Sequence, residues 1–394
     1  MSLSHRIALA SAVIFAILFF LPVQAQIVPD GTLGTQAIGA CAGAGGTCGI
    51  INGTARGSDL FHSFLQFSLP NGDVAAFIIN PTIQNLIVRV TGVGLPFISN
   101  INGAIATTDP TLTNIIPTNF FLLNPNGIVF GPSARIFVGG SFLASTAERM
   151  LFQDGTMFDT RDQTLKPLLT VSVPTGLQFG QTPGEIRSGM QIVAGFNSRL
   201  TDFSLVGGNV TLDDSRVSAP GGRIELGGVG ENGTVGLRQN GDRLSLSLAA
   251  STPRRDITLT NGSTLDAGAS TGSGEVVVMG RNISLYASSI FTGILPGIDN
   301  AATNQAGNIT ISAIASLKLT KSSRIANTVN SDAIGQGGNI HIAAADIRVG
   351  DGSGIGAVTN GNGNGGNVQV TTNSITLDGD TLNDQVARIG TLVD

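Results

Sequence analysis

From about residue 205 onward, apolar residues stand two apart inside short runs, and the runs themselves recur. Gly338-Asn339-Ile340-His341-Ile342 is followed by Ile347-Arg348-Val349 and then Ile355. Gly366-Asn367-Val368-Gln369-Val370 is followed by Ile375-Thr376-Leu377 and Leu382, and Gly307-Asn308-Ile309-Thr310-Ile311 by Leu317-Lys318-Leu319 and Ile325. Gly274-Glu275-Val276-Val277-Val278, with Ile283-Ser284-Leu285 and Ile290, is a fainter copy. Gly208-Asn209-Val210-Thr211-Leu212 with Val217 opens the series. Each unit therefore predicts three very short strands, and the marker asparagines Asn308, Asn339 and Asn367 are 31 and 28 residues apart.

Strand side chains alternate between faces, so each of these strands can turn only about two apolar residues inward. No single unit can bury a core, whereas stacked units can, with strand lying on equivalent strand about 4.8 Å away. Three strands joined by turns make a triangular coil. The expected fold is all-β, a right-handed parallel β-helix with three strands per coil. Asn recurring at one corner can hydrogen-bond along the axis, and Gly supplies the bend. At roughly 20–30 residues per coil the chain after residue 25 would form about 12–16 coils, a rod of some 60–80 Å. A β-propeller is the competing architecture, but its blades take about 40–50 residues and four strands each.

Before residue 205 the grammar differs. Most of the 19 phenylalanines and 15 prolines lie there, and Phe291 is the only phenylalanine beyond it. This divides the chain into residues 1–25, an irregular aromatic region over 26–203, and a repetitive shaft over 204–394. Composition supports the division. Charged residues are 12% of the 394, and glycine accounts for 54 of them, which disfavours helices and favours turns and strands. The net charge of -5 argues against nucleic acid as a partner, since such binders show a basic stripe.

Residues 1–25 read as an export signal. Arg6 precedes an almost wholly apolar stretch from Ile7 to Leu21, Pro22 ends it, and Val23-Gln24-Ala25 places small residues where a signal peptidase reads. Cleavage is expected between Ala25 and Gln26. The apolar stretch is short of the roughly 20 residues a membrane-spanning helix needs. The only two cysteines, Cys41 and Cys48, enclose six residues in a glycine-rich segment. In an oxidising compartment the default is a local disulfide; a zinc site or a redox role is the alternative.

Several segments before residue 150 combine strand patterns with turn residues. They are Leu60-Phe61-His62-Ser63-Phe64, Asn80-Pro81-Thr82-Ile83-Gln84-Asn85, Arg89-Val90-Thr91-Gly92 and Asn124-Pro125-Asn126-Gly127-Ile128. In Asn124-Pro125-Asn126-Gly127, Pro presets the second turn position and Asn or Gly tolerates the left-handed one after it, so a purely structural turn accounts for it as well as any recognition role. In order and spacing, from about Ile27 to Thr146, these segments resemble the N-terminal secretion domain of the filamentous haemagglutinin family, the exported partner of two-partner secretion. The apolar segment Val93-Gly94-Leu95-Pro96-Phe97 departs from that pattern.

The resemblance implies a β-helix capped by extra N-terminal strands, which would protect an otherwise open edge. It implies passage through the Sec machinery and signal peptidase, then engagement of an outer-membrane β-barrel transporter with periplasmic receptor domains. The product would be an adhesin-like rod at the cell surface or in the medium, with a surface or host ligand that no motif identifies. On the same resemblance, Asn80, Pro81, Asn85, Asn124, Pro125, Asn126, Gly127 and Ile128 would serve secretion.

Chemistry was sought and little found. His62 sits between Phe61 and Ser63, in a packing position, and His341 alternates outward between Ile340 and Ile342. Asp213-Asp214, the only adjacent acidic pair in the sequence, reads as a turn, since strand neighbours point to opposite faces. Gly361-Asn362-Gly363-Asn364-Gly365-Gly366 matches a dinucleotide-loop string but leads into a strand. The expectation is a non-enzyme without cofactor or metal. The alternative is a secreted β-helix enzyme acting on polysaccharide, which would need clustered carboxylates.

Overall fold

The computed structural model describes residues 26–41, 45–164, 168–192, 200–241, 243–272, 274–379 and 387–393. The export segment, Ala25 included, lies outside them. Within them the chain winds as a parallel β-helix of triangular section. Ten strands stack in parallel on the first face, from Asp59–Phe67 through Asn85–Val90, Asn119–Leu123 and Phe142–Ser145 to Ile340–Ala343 and Val368–Thr371. The second face runs from Ser99–Ile101 to Ser374–Asp378. The third is made of two parallel runs, Thr47–Asn52 to Arg135–Phe137 and Gln191–Ile192 to Arg388–Val393.

The inward pairs form one core along the axis. Ile309 and Ile311 lie on Ile340 and Ile342, and Leu317 and Leu319 on Ile347 and Val349, all essentially buried. Each such side chain contributes about 1.5–3 kcal/mol relative to exposure. Near the N-terminal end the inward residues are aromatic. Phe120, Phe142 and Phe203 occupy one register position and stack at 5.6 and 5.7 Å between ring centroids.

Extra antiparallel strands close the N-terminal end. Ile27–Pro29 and Thr54–Arg56 flank Asp59–Phe67, and Thr35–Gly39 pairs with Thr47–Asn52. The Cys41–Cys48 disulfide, with an S–S distance of 2.03 Å, ties the ends of that last hairpin.

Three expectations need correction. Among the described residues ten coils form, not 12–16, so at about 4.8 Å per strand their stack is nearer 45 Å. The missing coils went into a five-stranded antiparallel sheet inserted between strands of the helix: Arg149–Phe152, Met157–Asp159, Pro174–Gln178, Thr234–Asn240 and Arg243–Leu248. This layer covers the outside of the first face, where Phe61, Phe121, Leu123 and Leu143 pack against Met150, Phe158, Leu177 and Val235. Next, Val210–Asp213 belongs to the second face, aligned with Ile257–Thr260, and is not the equivalent of the strands after Asn308 and Asn339. An asparagine precedes strands at two different corners, so the Gly-Asn pattern does not identify the face. Lastly, Ile389 pairs with Ile355 in the final coil; Leu382 lies outside the described residues.

The corners carry polar columns. Before the first face, one register position is occupied in turn by Asp59, Asn85, Asn119, Ser141, Asp202, Arg223, Glu275, Asn308, Asn339 and Asn367. The expected asparagine stack is its C-terminal end, where Asn339 N–H donates to Asn308 Oδ1 at 2.8 Å and Asn367 N–H to Asn339 Oδ1 at 2.9 Å. Before the third face runs a buried serine column, Ser188, Ser215, Ser263, Ser288, Ser323 and Ser353.

Candidate functional site: an asparagine-clamped loop on the cap

The segment after Leu123 leaves the first face in a tight turn, Gly127 N–H donating to Asn124 O at 3.2 Å. Gly127 has φ 129°, and a Cβ there would meet Glu185 O at 3.2 Å, so glycine suits both the conformation and the space. The two asparagines face inward to the protein instead of solvent. Asn124 is fully buried, and its Nδ2 donates to Phe97 O at 2.8 Å and Ser99 Oγ at 2.9 Å. Its Oδ1 accepts from the Asn126 backbone at 3.0 Å and from Asn126 Nδ2 at 2.8 Å. Asn126 in turn brackets the neighbouring loop. Its Nδ2 donates to Gly92 O and its Oδ1 accepts from Gly94 N–H, each at 2.8 Å.

The bracketed loop is the Val93–Phe97 segment that departs from the family pattern. Leu95–Phe97 forms a single 3₁₀ turn, with Leu95 81% and Val93 61% exposed. One buried and one half-buried amide thus hold an apolar loop outward. Ile128 begins the next second-face strand and is buried, while its N–H donates to Glu185 O.

Asn80, Pro81 and Asn85 are not part of this cluster. Asn80 closes an exposed turn, its Oδ1 accepting from Thr82 N–H and Oγ1, and exposed Pro81 follows it. They lie at the corner where the chain enters the first face, whereas Asn124 lies where it leaves. Asn85 is a rung of the first-corner column, donating to Asp59 Oδ1 at 2.8 Å and accepting from Asn119 Nδ2 and Gln239 Nε2 at 3.0 Å. Burial pushes the Asp59 carboxyl up to about 6 despite the Asn85 hydrogen bond.

The Arg89-Val90-Thr91-Gly92 segment supplies what sequence reasoning missed. Arg89 has none of its surface exposed. Its Nε donates to Ser63 Oγ at 2.8 Å, Nη2 to Thr32 Oγ1 at 3.2 Å and Nη1 to Asp159 O, and its guanidinium carbon lies 4.7 Å from the Phe158 ring centroid. Ser63 and Thr91 hydroxyls pass the network to Asp30 Oδ2 at 2.5 and 2.9 Å. Burial opposes ionisation of Asp30, but hydrogen bonds from Ser63, Thr32 and Thr91 outweigh it and hold the carboxyl below its usual range. Burial lowers the Arg89 pKa, against the attraction of Asp30, Asp162 and Asp159. One side chain therefore joins the N-terminal segment, the first face and the antiparallel layer.

The far edge of that layer is held by two carboxylates. Asp202 accepts from Leu244 N–H at 2.7 Å and Arg243 Nη1 at 3.0 Å; Glu225 accepts from Leu246 N–H at 3.0 Å and Arg223 Nε at 2.7 Å. They replace the missing strand partner of Arg243–Leu248. Burial raises the Glu225 pKa, with Arg223 pulling the other way.

The remaining candidates are structural. His62 is buried edge-on to Phe77, its Nδ1 3.2 Å from Thr35 Oγ1, and burial pushes its pKa down to about 3, so it is neutral. His341 contacts Gln369 on the surface. Asp213 ends its strand and Asp214 turns with φ 49°. Among the described residues no group of three or more His, Cys, Asp or Glu is placed to hold a metal ion.

Comparison with known proteins gives three results. The TPS secretion domain family matches residues 25–279, a stretch that contains the cap, the clamped loop, Arg89 and the whole antiparallel layer. A solved structure, the HMW1 secretion domain from Haemophilus influenzae, is similar at 16% identity with a TM-score of 0.46, covering 93% of this chain and 98% of that one. No curated protein matches the chain. With the matched stretch spanning more than half its length, the chain belongs to the family of two-partner secretion domain proteins.

Proposed function

We propose that this chain is an adhesin-like exoprotein. It leaves the inner membrane by the Sec route, loses residues 1–25 to signal peptidase, and is recognised by periplasmic receptor domains of an outer-membrane β-barrel transporter. Residues 26–203 are the recognition region, with Thr234–Asn240 and Arg243–Leu248 completing their antiparallel layer. Residues 204–394 are the shaft, displayed at the cell surface or released, with a surface or host ligand.

The observation that carries this reading is the double bracket of Asn126 on Gly92 and Gly94, inside the stretch that matches the family. The motif's two possible roles, folding and secretion, then become one. Asn124 and Asn126 hold the Gly92–Phe97 loop, and that corner is what the transporter meets. Asn80, Pro81 and Asn85 contribute separately, by shaping the entry to the first face.

Asn126→Ala removes the bracket without touching the inward core. Co-expressed with a compatible transporter, the variant is expected to reach the medium at a level roughly tenfold or more below wild type, the drop that a tenfold weaker recognition step would set if recognition limits export. Its purified form should retain the wild-type circular dichroism spectrum. Unchanged secretion would remove the motif from the recognition site.

A further inference from the structure

The stacked coils of this protein are unequal in length. Partners in the first-corner column are separated by 21 residues between Asp202 and Arg223, 52 between Arg223 and Glu275, 31 between Asn308 and Asn339 and 28 between Asn339 and Asn367. Chain length between corners therefore cannot fix how one coil sits on the last. Alternation of apolar and polar residues fixes it only partly. A slip of one residue turns every inward side chain outward and is strongly excluded. A slip of two preserves the faces. Ile342 would then lie on Ile309, and Ala344 on Ile311, apolar on apolar.

The corner columns do distinguish these registers. At the first corner Asn339 N–H reaches Asn308 Oδ1 only when Ile340 lies on Ile309. At the second, Ser316 Oγ donates to Asn282 Oδ1 at 2.8 Å, and Asn282 N–H and Nδ2 both reach Asp256 Oδ1. At the third, the N–H groups of Ser288 and Ser323 donate to the hydroxyls of Ser323 and Ser353 at 3.1 and 3.0 Å. A two-residue slip breaks all three sets at once and leaves buried serine groups without partners. The sense of the bonds differs between corners. For the backbone N–H donors, the earlier coil supplies the acceptor at the first two corners, and the later coil does at the serine corner.

We infer that the three corner columns form a register code, which makes each added coil settle in one register against the two-residue slip that its apolar pattern tolerates. An Asn, Asp or Ser before the strand is the code's usual letter, Arg223 and Glu275 taking its place at two rungs of the first corner, and loops between letters are free to vary in length. The sequence carries it openly: Ser, any residue, then Val, Leu or Ile recurs at Ser215, Ser263, Ser288, Ser323 and Ser353.

Thiol cross-linking tests this. Thr310 and His341 are register partners, and Ala343 is the position that a two-residue slip would bring opposite Thr310. Two reporters are made, Thr310→Cys with His341→Cys and Thr310→Cys with Ala343→Cys, both in the full chain with its Cys41–Cys48 disulfide intact. Each is oxidised in the wild-type background and in Asn308→Ala/Asn339→Ala/Ser353→Ala, which removes the acceptors of both the Asn339 and the Ser323 amides. The in-register pair should dominate in the wild-type background. The slipped pair should rise at least about tenfold in the triple variant at unchanged β content; a slipped pair that stays at background would overturn the code.

Single variants keep the test decisive if the triple variant does not fold. Asn339→Ala should speed hydrogen exchange at the Asn367 amide, in the later coil, whereas Ser323→Ala should speed it at the Ser288 amide, in the earlier one. Equal effects in both directions would contradict the opposed senses of the columns.

Discussion

Arg89→Met asks whether one buried guanidinium holds the cap together. Methionine keeps the length and flexibility of the side chain but removes the donors to Ser63 Oγ, Thr32 Oγ1 and Asp159 O and the contact over Phe158. Hydrogen bonds to a charged group contribute about 1.5–3 kcal/mol each, partly offset by burial of an apolar side chain. Asp30, linked to Arg89 through Ser63 Oγ, is also left without the attraction of the guanidinium. Three such bonds less that offset, with three acceptors left in a buried site, set an expected loss of about 3–5 kcal/mol.

Part of the cost should vanish when Asp30→Asn is added, giving a coupling of about 1–2 kcal/mol in the double-mutant cycle. The chain has no tryptophan, and its single tyrosine, Tyr286, lies in the shaft, so fluorescence would not report the cap. Hydrogen exchange at the amides of Asn85–Val90 reads cap opening separately from the shaft. A loss below about 1 kcal/mol, or no coupling to Asp30, would refute the reasoning.

Asp59 gives a pH prediction of definite sign. Its carboxyl is raised in the fold from 3.8 to about 6, so the folded state holds a proton that the unfolded state has released. Its contribution to stability therefore falls as pH rises from about 4 to 6. Asp59→Asn should stabilise by about 1–2 kcal/mol at pH 7, after allowance for solvent screening, and by nothing below about pH 4; urea titrations at the two pH values decide it. Phe142→Ala interrupts the stack between Phe120 and Phe203 and should cost about 3–5 kcal/mol, and a midpoint shift worth less than a third of that would show that the rings repack.

The shaft was legible because stacking imposes two regularities on the sequence, an inward apolar pair per strand and a polar corner residue. The antiparallel layer was not. Its strands come from two segments separated by two coils, and Leu244-Ser245-Leu246-Ser247-Leu248 alternates just as a shaft strand does. A trace existed in the unbroken apolar runs Leu86-Ile87-Val88 and Phe120-Phe121-Leu122-Leu123, which indicate strands covered on both sides. The overestimate of coils followed from the same omission. The sequence shows Arg89 only as part of a turn motif, since an arginine in a strand ordinarily reads as solvated; its burial depends on Phe158, 69 residues later. The Asn124–Gly127 turn could be read locally, but the loop that it brackets could not, because that contact joins residues 32 or more apart.

The central claim is that the capped N-terminal region directs export through an outer-membrane transporter. The most direct measurement is the fraction of protein outside the cell, in a bacterium with or without a compatible transporter, for the full chain, for residues 1–279 alone, and for a chain lacking 26–279. The account predicts that the first two appear outside only when the transporter is present, and that the third stays within the cell envelope. Export of the third, or transporter-independent export of the full chain, would contradict it.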